Sequence, residues 1–133
     1  MEQLQTIDGL LLAKMMRAGA ASLRAQEQTI KELNVFPIPD GDTGSNMLLT
    51  ALGGVEKCGD GVGPVSEVAR HISDGMLLSA RGNSGVILSQ IFDGIADGFR
   101  GLETADCAAL AHALQCGTEH AYQAVMEPAE GTI

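Results

Sequence analysis

Apolar side chains recur at three- and four-residue spacing in every long segment of this chain, and nowhere does period-two alternation run between hairpin turns. A helix buries one stripe and a half-buried strand buries every second residue, so the pattern predicts an all-α fold without internal repeats. Leu11, Leu12, Met15, Met16 and Leu23 mark an amphipathic helix from Asp8, its cap, to about Arg24. Ala18, Gly19, Ala20 and Ala21 form a small-residue patch on it that suits a close helix crossing, although Gly19 weakens the helix by about 1 kcal/mol against alanine. A shorter helix is predicted from Gln26 to Leu33, ended by the extended backbone that Phe36-Pro37 imposes. Three more follow: Asn46 to Val55, stopping at Gly53-Gly54 or just beyond; Pro64 to Ala80; and one opening at Ala80-Arg-Gly-Asn-Ser-Gly85 and running through Phe99. A last long helix, capped by Thr104, is expected to reach Pro128.

The chemistry concentrates in Asn34-Val-Phe-Pro-Ile-Pro-Asp-Gly-Asp-Thr-Gly-Ser-Asn-Met47. Two prolines forbid a helix there, and then two carboxylates alternate with glycine. Asp40 and Asp42, at i and i+2 around Gly41, can converge on one hard cation. Thr43, Ser45 and Asn46, with Gly44 keeping the approach clear, would stand beside unpaired N–H groups at a helix start, where anions are held by those donors and by the helix dipole. Pro-Asp-Gly is also an ordinary turn, and Asp42 or Thr43 could simply cap a helix. Competing motifs fit badly. An EF-hand beginning at Asp40 would need Asp or Asn in place of Gly44, glycine in place of Ser45 and Glu in place of Ala51; a Walker loop would need a lysine after glycine, and none occurs.

Ala80-Arg81-Gly82-Asn83-Ser84-Gly85 is the second suggestive stretch. Gly82 and Gly85 let backbone lie close to a ligand, Asn83 or Ser84 can cap the helix or bond a phosphate oxygen, and Arg81 adds a cation. The segment Cys58-Gly-Asp-Gly-Val-Gly-Pro64 has glycine spacing without a preceding strand, so it predicts a flexible connection and not a dinucleotide fingerprint. His71 reads as structural or solvated, and His112 and His120 lack a partner at ligand spacing.

A chain of 133 residues, 45% apolar, makes one domain with a real core. Eight Lys and Arg against 17 acids give a net charge of −9, which argues against a nucleic-acid partner but leaves room for a nucleotide held through metal and backbone. Cys58, Cys107 and Cys116 lack metal-ligand spacing and read as small buried or half-buried thiols of a reduced compartment. Without a basic leader or a run of membrane-spanning length, the expectation is a cytoplasmic protein with no stable membrane insertion.

The two glycine-rich stretches, together with the terminal Glu130-Gly-Thr-Ile133, resemble the N-terminal nucleotide-binding domain of bacterial fatty acid kinase, which is similar to the ADP-binding L subunit of dihydroxyacetone kinase. The resemblance runs nearly the full length and implies an antiparallel helical barrel with ATP or ADP and Mg²⁺, two ions, at one end. Carried over, it makes Asp40 and Asp42 the catalytic magnesium ligands and places Asn34 near a third ligand position, where the dihydroxyacetone kinase pattern has aspartate. It implies phosphate contacts from Thr43, Gly44, Ser45 and Asn46, with Gly82, Asn83, Ser84 and Gly85 lining the nucleotide. The implied activity is transfer of the γ-phosphate of ATP to a fatty acid carboxylate presented by a separate fatty-acid-binding partner protein. An ionised carboxylate needs no general base, and none stands out. A non-catalytic ADP/Mg²⁺-binding module and a dihydroxyacetone kinase-type subunit are the alternatives. The family's closing helices and later domains are missing from this length, so residues 1–133 are expected to be an N-terminal piece of a longer kinase, with exposed apolar faces at Leu11, Leu12, Leu114 and Val125 that favour self-association, possible as a homodimer.

Overall fold

The computed structural model describes residues 5–33 and 43–125. Asp8 Oδ1 accepts a 2.8 Å hydrogen bond from Leu11 N, capping a helix as expected. That helix, α1 (Gly9–Leu33), then runs without the predicted break near Arg24–Gln26. Beyond Leu23 its surroundings thin out, with Glu27 and Ile30 half-buried and their neighbours exposed, so the apolar stripe fades while the residues remain good helix formers. The later helices are α2 (Thr43–Cys58), α3 (Val65–Ser79), α4 (Gly82–Gly98) and α5 (Cys107–Ala124). The all-α expectation holds.

Two predicted boundaries move, for different reasons. Gly53-Gly54 lies inside α2 and does not end it, because there α2 meets α3. A Cβ on Gly53 would overlap the Ser79 side chain and stand 2.6 Å from the Gly75 carbonyl; one on Gly54 would stand 2.8 Å from Met76. The helix continues to Cys58, where Gly59 turns away at φ +56°. Thr104 does not cap α5. The chain is still extended there, since Ile7 and Ala105 exchange backbone hydrogen bonds of 2.8 and 2.9 Å, and the cap falls to Asp106, whose carboxylate accepts from Ala109 N at 2.8 Å. The predicted end at Pro128 lies outside the described residues.

Successive helices run antiparallel, α1 against α2, α2 against α3, α3 against α4 and α4 against α5, with α2–α4 and α1–α3 touching across the arc. Val65, Val68, Ile72, Met76 and Phe99, each 1% exposed or less, form the densest part of the core. Among the described helices α5 packs on α4 alone, and Leu114 is 51% exposed on its outer side, while Leu12 is buried and Leu11 and Val125 are half-buried. Among the described residues the Ala18–Ala21 patch makes no crossing. Only Ala20 is buried, and nothing lies within 4 Å of where a Gly19 Cβ would be. Crossings are instead made at Gly53–Gly75 and at Gly94–Gly117, where a Gly94 Cβ would strike the backbone of Cys116 and Gly117.

All three cysteines are free; Cys58 is buried and Cys116 half-buried, but Cys107 is exposed, contrary to expectation. Burial pushes the Cys58 thiol up from its ordinary value, against a smaller downward pull from Arg17. His71 is solvated.

The two kinds of glycine make opposite predictions. Gly94→Ala should destabilise the chain by about 1–3 kcal/mol, since backbone on α5 must move to admit the methyl. Gly19→Ala should stabilise it by about 0.5–1 kcal/mol. Denaturant melts of both variants check this, and equal effects would contradict the assignment of crossings.

Candidate functional site

Since α3 returns the chain antiparallel to both its neighbours, α2 and α4 run parallel and start at the same end of the molecule, beside the last turns of α1. Gly44 is buried against α1; a Cβ there would stand 3.1 Å from the Glu27 carbonyl and 3.2 Å from Ile30 Cβ. Ser45 Oγ donates to Glu27 Oε1 at 2.6 Å. Its proton is thereby taken by a carboxylate from another helix, a partnership invisible in the loop motif. Thr43 and Asn46 are half-buried beside it.

The start of α4 meets this end of α2 directly. Gly82 has φ +67°, where an L side chain is strained, and a Cβ on it would overlap the Asn46 side-chain amide. Gly85 is closed in by Thr50, with Oγ1 2.5 Å and the Asn46 carbonyl 3.4 Å from where its Cβ would be. Thr50, fully buried, donates to the Asn46 carbonyl at 2.7 Å and accepts from Arg81 N at 3.3 Å. The cap position belongs to Arg81, extended at φ −133° and without a side-chain cap bond; Asn83 and Ser84, expected as caps, sit inside the first turn, Asn83 exposed and Ser84 buried. A helix start lacking a side-chain acceptor leaves its N–H dipoles without that competitor for an anion. An open groove of about 470 Å³ lies alongside, lined by Leu49, Leu78, Ser79, Ala80 and Arg81. Thr43, Gly44, Ser45 and Asn46 are thus brought to one end with Gly82, Asn83, Ser84 and Gly85. Asn34, Asp40 and Asp42 lie outside the described residues.

A second charged group ties three helices together near the far end of α4. Arg70 on α3 pairs with Asp93 at 2.8 Å and Asp97 at 2.7 Å, Arg100 pairs with Asp97 at 3.0 Å, and Ser73 Oγ is 3.4 Å from Asp93. His120 on α5 places Nδ1 3.1 Å from Asp93 and Nε2 3.3 Å from Asp97, so its expected lack of partners is corrected. Burial lowers the Arg70 pKa, but hydrogen bonds to both carboxylates outweigh this and hold it above its ordinary value. Asp93, Asp97 and His120 have donor types suited to a metal, with one ligand atom each within 4.8 Å of the others. The guanidinium of Arg70 bonds both carboxylates and Arg100 adds a second positive charge on Asp97, which makes the group an ion-pair tie. The sequence signal was limited to Asp93, Asp97 and Arg100 on one stretch; Arg70 and His120 come from other helices.

An all-helical domain with two parallel helix starts converging at one end defines the class. Residues 37–133 match the DAK2 domain family, and the chain belongs to it, which makes it dihydroxyacetone kinase L-subunit-like. It is 43% identical over 131 residues to protein YloV of Bacillus subtilis, covering 98% of this chain and 24% of that protein. An uncharacterized protein of Staphylococcus saprophyticus is 43% identical over 128 residues, 96% of this chain and 23% of its own length, and one from Staphylococcus epidermidis 44% identical over the same coverage. The chain spans about a quarter of the length of these curated relatives. No described helix is long and apolar enough to cross a membrane.

Removing the guanidinium takes away the cation that bonds both carboxylates and leaves Asp93 with His120, and Asp97 with Arg100 and His120. Arg70→Leu should therefore cost about 1 kcal/mol of stability at low salt after solvent screening, and less in 1 M salt. Melts at both ionic strengths check it; a loss independent of salt would point to packing of the arginine stem instead.

Proposed function

We propose that this chain is the ATP- and Mg²⁺-binding domain of a kinase, and that the converging starts of α2 and α4 hold the nucleotide's phosphates. The observation that carries this is the contact of Asn46 with Gly82, which brings two helix starts 36 residues apart in the chain side by side. Phosphoryl transfer asks a protein chiefly for positioning and charge neutralisation. Two helix N-termini, each equivalent to roughly half a positive charge, supply part of that. Asp40 and Asp42, with Asn34 as a further candidate ligand, would hold Mg²⁺, which would supply the rest of the charge neutralisation. With the Ser45 hydroxyl donating to Glu27, its contribution is through the backbone N–H; Gly82 and Gly85, having no side chain, admit Asn46 and Thr50 of α2 and so let the two helix starts lie side by side.

The acceptor we favour is a fatty acid carboxylate brought by a separate binding protein. Such an acceptor is already ionised and requires only an open approach to the γ-phosphate. A second polypeptide and the remaining three-quarters of the relatives' length would present it, which fits a chain that is one domain of a larger enzyme.

Nucleotide affinity should depend on a hard divalent ion. Calorimetry should show ADP and ATP binding at least about tenfold tighter with Mg²⁺ or Mn²⁺ than in EDTA. Asp42→Asn should lose that increment with an unchanged circular-dichroism spectrum, and should abolish transfer in the full-length protein. Equal binding in EDTA, or full turnover by Asp42→Asn, would sink the proposal.

A further inference from the structure

We infer that Thr50 is a positioning residue of the nucleotide site, its buried hydroxyl setting the register of the α4 start against the α2 start; this rests on the function proposed above. A hydroxyl carries one proton and two acceptor lone pairs. Here the proton goes to the Asn46 carbonyl at 2.7 Å, and a lone pair receives the Arg81 N–H at 3.3 Å. The first bond is ordinary, since a threonine within a helix commonly bonds back to the carbonyl four residues earlier. The second is not local. It joins residues 31 apart in the chain and takes up the backbone N–H of the cap residue of α4.

Geometry couples this bond to the candidate site at two further points. Asn46, whose carbonyl orients the Thr50 hydroxyl, is the residue whose side chain abuts Gly82. Gly85, one turn into α4, lies so close to Thr50 Oγ1 that its Cβ would be only 2.5 Å away. Two parallel helix ends can act on one phosphate group only when their axial offset is held, and apolar packing alone tolerates sliding more readily than a directional hydrogen bond does. Thr50 is 0% exposed, so water does not reach its hydroxyl to substitute for either partner. Valine has the same shape, and it can neither donate nor accept.

The test compares Thr50→Val and Thr50→Ser with the unaltered chain, reading Mg-ADP affinity by calorimetry well below each variant's melting temperature. The amide exchange of Arg81 is followed in parallel. Thr50→Val should bind Mg-ADP about tenfold more weakly, the loss expected for one directional bond at the site, and Arg81 should lose protection. Thr50→Ser should restore both, which a role confined to filling space would not produce. Should Thr50→Val fail to fold, Thr50→Ala takes its place against the same serine control. Wild-type affinity in the hydroxyl-free variant, or a serine variant as weak as it, would overturn the role of Thr50 while leaving the nucleotide site standing. No binding of Mg-ADP by the unaltered chain would overturn the nucleotide proposal and this role with it.

Discussion

The contact between the first turn of α2 and the first turn of α4 is the constraint on which the rest of this molecule depends. Two helix N-termini face one ligand only if the helices are parallel, and consecutive parallel helices need an intervening helix to bring the chain back. That helix is α3, and it can do so at close quarters because Gly53 and Gly75 remove the side chains that would hold it away from α2. The same device, Gly94 against Gly117, seats α5 on α4. Glycine weakens each helix by up to about 1 kcal/mol per residue, and backbone-to-backbone packing offsets the loss.

Electrostatics bears on the nucleotide site proposed above. A chain of net charge −9 repels a nucleotide at long range, so attraction has to be local. On the function proposed above, aligned peptide dipoles at two helix starts would provide it without adding side-chain charge, and a cation held by carboxylates would add to it. The side-chain charges that the described residues bring together most densely, Arg70, Asp93 and Asp97, are spent elsewhere, tying α3 to α4 near the opposite end, where His120 of α5 also reaches both carboxylates. One end of the bundle is fastened by ion pairs and the other by close backbone approach and the hydrogen bonds of Ser45 and Thr50.

Fold class was legible because helical spacing of apolar residues is a local property, and so was the cap at Asp8, which needs only its own turn. What could not be read depended on partners far along the chain. Gly53-Gly54 has the signature of a helix end, and only the presence of α3 makes it a crossing. Thr104 is as good a cap as Asp106 until Ala105 is paired with Ile7. His120 looked unpartnered because its carboxylates sit 27 and 23 residues earlier, on α4. The two loop motifs were recognisable separately by their glycines and small polar residues, but the pin between them was not: Thr50 lies in the run Met47-Leu-Leu-Thr-Ala-Leu52, where a threonine carries no signal of its own. The Ser45–Glu27 bond was hidden in the same way, by a helix whose continuation past Arg24 the fading stripe concealed.

The most direct measurement of the central claim is a titration of the isotope-labelled chain with Mg-ADP followed through its backbone amide resonances. If the starts of α2 and α4 form one site, the amides of Gly44, Ser45 and Asn46 and those of Gly82, Asn83, Ser84 and Gly85 will shift together along one binding curve with a single dissociation constant. Shifts confined to one of the two helix starts, or centred on the Arg70–Asp93–Asp97 ion pairs, would contradict the account.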